Sequence, residues 1–342
     1  MEATTRLRAL TFAATAALWL LGLPDTRPLA AAPSCEVEGV ERVVAVGDVH
    51  GAYDRFAEIL RTTGLIDGQA KWMGGKAHLV QLGDVVDRGA DSRKVQDLLK
   101  RLQGEAEKAG GAVHPLIGNH EAMRMLGDLR YVTGGEYEVY VTPESESLRQ
   151  RFLASVRAGE RESLMSKTPL GWVEMNLDVA PDGDLGEWLR SLNAVVKIDE
   201  TVFLHGGISP SVAGMSCDRI NQQIRRELTG DLEKTKRDPL RSLAAREDGP
   251  LWYRGLAQEP DTFEPAVDEI LAKQKASTIV VAHTVTPTGR IVSRFDGKII
   301  EIDTGMQPAY VTGGRASALE IHEGTYTAIY LDRKDILVDP TR

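Results

Sequence analysis

Val43-Val44-Ala45-Val46-Gly47-Asp48-Val49-His50-Gly51 decides the fold of this chain. An apolar, β-branched run of strand length passes directly into glycine, carboxylate and imidazole, so a buried strand ends in a polar loop. The same juxtaposition recurs four times. Residues 79–82 lead into Gly83-Asp84-Val85-Val86-Asp87-Arg88-Gly89, and residues 113–117 into Gly118-Asn119-His120-Glu121. Residues 201–204 precede His205-Gly206-Gly207, and residues 278–281 precede Ala282-His283-Thr284. Open α/β sheets place their ligands beyond the carboxyl ends of their strands, which is where all five clusters fall.

The residue types specify a chemistry. Two cations about 3.5–4 Å apart can hold a hydroxide between them and clamp both oxygens of an in-line phosphoryl displacement. A shared carboxylate with mixed oxygen and nitrogen donors makes such a site. Asp48, His50 and Asp84 are read as holding one ion, and Asp84, Asn119, His205 and His283 the other, with Asp84 common to both. Neutral imidazole with carboxylate suits manganese, iron or zinc better than calcium or magnesium. The expected cofactor is therefore two divalent or trivalent ions, manganese foremost, with iron or zinc as alternatives.

Four of these clusters, GDxHG, GDxxDRG, GNHE and HGG, stand here in order and without substitution, and in this the chain resembles the phosphoprotein phosphatase family of metallophosphoesterases. A narrower likeness follows the third cluster, where residues 118–123 are succeeded by Gly127-Asp128-Leu129-Arg130-Tyr131-Val132. With residues 250–255 and Ile302-Asp303-Thr304-Gly305, this is similar to the bacterial Shewanella-like phosphatase branch. The likeness covers roughly residues 40–310. It implies an α/β fold, the calcineurin-like α/β/β/α sandwich of two mixed β-sheets with a helical insert lobe.

The resemblance also implies roles. His120 would protonate the departing oxygen, Asp87 would orient that imidazole, and Arg88 and Arg254 would grip phosphate oxygens as planar forks. It implies a phosphomonoesterase acting on phosphoproteins or phosphopeptides, with a leaning toward phosphotyrosine, by direct attack of a metal-bridging hydroxide. Two other readings stay open: a symmetrical diadenosine polyphosphate hydrolase, which shares the motifs, and a non-catalytic metal-dependent binding module. Glu121 is read as holding the loop and not as a ligand. His78, His114 and His322 lie outside the motifs and are read as structural or surface residues.

Length and composition bound these readings. With 342 residues, 42% of them hydrophobic, a globular core is assured. A formal charge of −9 disfavours a nucleic-acid partner. Arg6 and Arg8 precede an apolar stretch over residues 9–23 and an alanine-rich segment ending at Ala32, which reads as a secretory signal over residues 1–32. The expected location is periplasmic or secreted, with no stable membrane insertion once the signal is removed; an uncleaved anchor is the alternative. Cys35 and Cys217 are the two cysteines, and in an oxidising compartment they can pair or stay free.

A single catalytic domain is expected over residues 36–335. Its start reads as βαβαβ, with strands at 42–46, 77–82 and 113–117 and helices at 53–63 and 92–108, the second capped by Asp91. A helical insert over 122–200, with helices at 144–158, 163–176 and 185–192, is expected beside the metals, where Tyr131, Tyr137, Tyr140, Arg149 and Arg151 either line a groove or serve packing and surface. A cover helix is expected at 217–228. Short runs at 290–294, 298–302, 316–321 and 326–332, separated by Gly-containing turns, predict a second, largely antiparallel sheet.

Overall fold

After the two-residue strand β1 (Glu36–Val37) come β2 (Arg42–Val46), α1 (Tyr53–Thr62), β3 (His78–Gln81), α2 (Ser92–Lys108) and β4 (Ala112–Pro115). This computed structural model describes residues 34–340, so the expected leader lies outside the described residues. The βαβαβ start is as the sequence predicts, with strand ends moved by a residue or two. Asp91 does not cap α2 through its side chain; it pairs instead with Lys94 at 2.7 Å.

The next segment holds α3 (Asn119–Leu126), α4 (Gly134–Glu138), α5 (Ser145–Ser155), α6 (Arg161–Met165), α7 (Trp172–Val179) and α8 (Asp184–Ser191). The one helix expected over 163–176 is two. Pro169 disfavours helical backbone at the residue before it, and Gly171, at φ +83°, starts α7 afresh. The helices stop at Ser191, and the last residues of the expected insert form β5 (Val195–Ile198), which hairpins onto β6 (Thr201–Leu204).

Then follow α9 (Cys217–Glu227), β7 (Thr278–Val281), β8 (Val292–Arg294), β9 (Ile299–Glu301), β10 (Ser317–His322), β11 (Thr325–Tyr330) and β12 (Lys334–Val338). Two mixed six-stranded sheets result, ordered β1-β5-β6-β7-β9-β8 and β12-β11-β10-β2-β3-β4. The C-terminal strands therefore do not make a sheet of their own. β8 and β9 extend the first sheet, where β9 runs parallel to β7, while β10 to β12 extend the second, where β10 lies antiparallel to β2. Hairpin signals identify sequence neighbours, and each of these pairs found a different central strand.

Alternation along the strands assigns the layers. Val44, Val46 and Leu79 pack with Phe56, Ile59, Leu60, Leu99 and Leu102 of α1 and α2. Ala45, Val80, Leu82, Phe203, Val280, Ile300 and Leu319 fill the space between the sheets. Val195, Val202, Leu204 and Ile279 pack with Ile220 and Ile224 of α9. Strands covered on both faces account for the continuous apolar runs, and each fully buried side chain such as Phe56 or Phe203 contributes about 1.5–3 kcal/mol. Helix α9 is the expected cover helix, capped where Ser216 Oγ accepts the N–H of Arg219 at 3.3 Å. Cys35, just before β1, and Cys217, the first residue of α9, are joined by a disulfide with Cα atoms 6.1 Å apart. This resolves the cysteine alternatives in favour of pairing.

Candidate metal centre

The loops that leave the carboxyl ends of β2, β3, β4, β6 and β7 meet above the gap between the sheets. β2 delivers Asp48 and His50, and β3 delivers Asp84, Asp87 and Arg88. Asn119 and His120 open α3 after β4, while His205 follows β6 and His283 follows β7. His50, Asp84, Asp87, Arg88 and His283 all have φ between +48° and +68°. Non-glycine residues hold that backbone only where the surroundings dictate it, and such strain gathers at functional sites. Here the dictating contacts are visible. Val49 and His50 donate their N–H groups to the carbonyl of Asp84 at 3.0 and 2.9 Å. Glu121 accepts the N–H groups of Gly118, Asp84 and Val85 at 2.8, 2.8 and 2.9 Å, the loop-holding role read for it.

All six expected ligands are buried and converge. His50 directs Nδ1 to the carbonyl of Val86 at 2.8 Å, which leaves Nε2 at 3.7 Å from both Asp48 Oδ2 and Asp84 Oδ2. His205 likewise directs Nδ1 to the carbonyl of Leu82 at 2.8 Å. Its Nε2 lies 3.3 Å from Asp84 Oδ2, 2.9 Å from Asn119 Oδ1 and 3.1 Å from His283 Nδ1. In each ring the carbonyl fixes the tautomer and frees the other nitrogen's lone pair. Donor atoms spaced this closely suit a common cation bound at roughly 2.0–2.2 Å, so the residues present fit two metal ions sharing Asp84.

His120 lies in the same cluster, with Nε2 3.8 Å from Asp84 Oδ2. Its neighbours, a carboxylate at one ring nitrogen and a guanidinium at the other, differ from the backbone carbonyls that hold His50 and His205. Its Nδ1 is engaged by Asp87 Oδ2 at 2.6 Å, and Arg88 Nη2 stands 3.3 Å from Nε2, where a second cation would be repelled.

The electrostatics follow from burial and crowding. Burial, then the nearby carboxylates of Asp303 and Asp84, push the Asp48 carboxyl well above its ordinary range. Burial pushes Asp303 up to about 6. Burial also acts to raise Asp84, but His205, His120 and His50 outweigh it and hold this group well below the usual range. Burial lowers His50 to about 4, keeping it neutral and fit to coordinate. For His120, burial is outweighed by Asp84 and Asp87, which raise its pKa and favour the protonated ring.

A cavity of about 160 Å³ opens over this cluster, lined among others by Arg88, Arg254, Tyr131 and Tyr310. The Arg88 guanidinium stacks between the rings of Tyr310 and Tyr131, 3.6 and 4.6 Å from their centroids. Arg254 Nη1 donates to the carbonyl of His283 at 2.7 Å and to Thr284 Oγ1 at 3.1 Å, which brings it to the opposite wall. Of the insert residues singled out in the sequence, Tyr131 lines the cavity. Tyr137 is buried, Tyr140 bonds Asp178, and Arg149 and Arg151 bond Glu146 and Ser147 on their own helix. His78 and His114 pair with each other at 3.1 Å and take no part in the centre, and His322 faces Glu41 at the surface.

Sequence reasoning missed Arg124, Glu136, Asp303 and Tyr310. Asp303 sits within a segment used only for its likeness to relatives. Arg124 carries a signal in hindsight, since it lies four residues past His120 on α3 and so shares its face. Glu136 and Tyr310 carry none.

Residues 41–287 match the calcineurin-like phosphoesterase family. The chain is 33% identical to an uncharacterised protein of Schizosaccharomyces pombe over 84% of its own length and 79% of that protein's. It is 29% identical to Shewanella-like protein phosphatase 2 of Arabidopsis thaliana over 81% and 74% of the two lengths. Among solved structures it resembles the cold-active protein-tyrosine phosphatase of a psychrophilic Shewanella species. That likeness has a TM-score of 0.71 and 30% identity, covering 90% of this chain and 83% of the other.

Proposed function

The chain belongs to the calcineurin-like phosphoesterase family, and we propose that it is a metal-dependent phosphomonoesterase acting on phosphoproteins or phosphopeptides, with a preference for phosphotyrosine. The observation that carries this is the His120 geometry: Nδ1 is tied to Asp87 at 2.6 Å while Nε2 faces the cavity beside Arg88. A binding module would need no such proton donor. The names of the Arabidopsis and Shewanella relatives support the substrate class, and the stacked Tyr131 and Tyr310 support an aromatic phosphoester.

Manganese, or in its place iron or zinc, held by Asp48, His50, Asp84, Asn119, His205 and His283 would supply Lewis-acid charge and lower the pKa of water. Arg88 and Arg254 bind the phosphate oxygens from two sides and hold the phosphorus in line. The nucleophile in this reading is water, whose pKa the ions held by these six residues would lower. As the new O–P bond forms and the bond to the leaving oxygen breaks, His120 gives its Nε2 proton to that oxygen. Such acid catalysis contributes about 10²–10⁴-fold. Asp87 keeps the ring oriented and favours its charged form.

We read residues 36–335 as one catalytic unit, exported to the periplasm or beyond. The leader-like sequence and the disulfide support export, and no helix among the described residues is long and apolar enough to cross a membrane. The test is a panel of phosphotyrosyl, phosphoseryl and phosphothreonyl peptides and diadenosine tetraphosphate, assayed after chelation and after adding back each metal. Fastest turnover of the phosphotyrosyl peptide with manganese is expected. Faster turnover of the dinucleotide, or full activity without metal, would overturn the reading.

A further inference from the structure

Asp87 is held by two residues that belong to none of the sequence motifs. Arg124, buried on α3 one turn beyond His120, places Nη2 between Asp87 Oδ1 and Glu136 Oε2, the latter at 2.6 Å. Glu136, buried on α4 of the insert, accepts the backbone N–H of Asp87 on the same oxygen at 3.2 Å. Its Oε1 accepts the N–H of Thr133 at 3.1 Å. The Asp87 carboxylate is thus divided, one oxygen to Arg124 and the other to His120 Nδ1, while Glu136 restrains its backbone at φ +68°. The next residue is tied to the same segment, since the N–H of Arg88 donates to the carbonyl of Tyr131 at 3.0 Å.

Buried ion pairs carry a desolvation cost that offsets their attraction, so stability alone is a weak reason for three charged groups to be enclosed here. Orientation is a stronger one, because a carboxylate fixed on both oxygens has one rotamer left. We propose that Glu136 and Arg124 are positioning residues for the general acid, setting the direction in which His120 presents Nε2 to the leaving oxygen. The insert then contributes to catalysis through Glu136, beyond shaping the cavity through Tyr131. This rests on the acid role of His120 proposed above.

The test compares metal-loaded wild type, Glu136→Gln, Arg124→Lys, His120→Asn and the double variant Glu136→Gln with His120→Asn. Each is assayed on phenyl phosphate, whose leaving oxygen needs a proton, and on 2,4-dinitrophenyl phosphate, whose leaving oxygen does not. Bound metal is measured alongside. Glu136→Gln is expected to lower the ratio of kcat on phenyl phosphate to kcat on the dinitrophenyl ester about 10-fold. Added to His120→Asn, the same change should move that ratio less than about twofold, because its effect passes through the imidazole. Should Arg124→Lys fail to fold, Glu136→Gln, which keeps the side chain's size, carries the test. Equal losses on both esters, or an unchanged ratio in Glu136→Gln while His120→Asn lowers it, would overturn the positioning role alone. An unchanged ratio in His120→Asn would overturn the acid assignment and this inference with it.

Discussion

The backbone N–H of His120 donates to Oδ1 of Asp84 at 2.9 Å. The carboxylate shared by both expected cations is thus also a fixed point for the backbone of the proposed acid, and a displacement of either moves the other.

Gly118 is what permits that approach. A Cβ at this position would overlap Asp84 Oδ1 and stand 2.9 Å from Glu121 Oε2. Gly118→Ala is therefore expected to displace Asp84 and to lower metal affinity and turnover together, each by roughly 10–100-fold. Elemental analysis and kcat on an aryl phosphate would check this; a variant with normal metal content and normal rate would contradict the packing argument.

Chelation should destabilise the protein, and more so at higher pH. Burial with neighbouring carboxylates raises Asp48, and burial raises Asp303 to about 6. Below that value the metal-free fold keeps a proton on Asp303, and Asp48 is displaced in the same direction. As pH rises through it the proton leaves and the buried charges repel, so stability is lost in that direction. The fall in Tm on adding chelator is expected to be larger at pH 7.5 than at pH 5. Restoring a metal to about 100 times its Kd should return about 2.7 kcal/mol.

His114, paired with His78 far from the centre, gives the opposite slope. Burial, then the neighbouring His78, lowers its pKa from 6.5 to about 4. The unfolded chain therefore binds a proton that the fold does not, and stability falls as pH drops from about 6.5 toward 4. Allowing for partial exposure, this amounts to up to about 2 kcal/mol. Urea unfolding at pH 7.5 and pH 5 should show a smaller difference for His114→Gln than for wild type.

The disulfide closes a separation of 182 residues. By loop-closure entropy a bridge of that span contributes about 5 kcal/mol. Reduction, or Cys35→Ser, should lower the denaturant midpoint with little change in kcat at low temperature, because the bridge joins the residue before β1 to the start of α9 and not the loops of the centre.

The candidate centre was legible because its proposed ligands are tied to strand ends, and a strand ending in glycine and a carboxylate is a local pattern. Asp48 and His205 could be found that way. Glu136 could not, since its contact with Asp87 spans 49 residues and nothing beside it in sequence marks a buried carboxylate. The insert shows both cases: Pro169 marks locally the break in the helix expected over 163–176, whereas β5, past the last expected helix at 185–192, is assigned as a strand only by its pairing with β6. The fate of the last strands was not written locally at all. Turn residues fix which neighbours hairpin, while the choice between β7 and β2 as central partner depends on the whole assembled molecule.

Strand β2, made well before β10, has it as one neighbour, and Val43 pairs there with Ile321. One flank of β2 must therefore wait, unsatisfied, until the chain has been made through residue 322. A stop codon shortly before residue 317 would spare every metal ligand and still leave an apolar strand edge open to pairing with other chains. Truncations of this kind are expected to aggregate, so β10 acts as the seal on a sheet begun about 270 residues earlier.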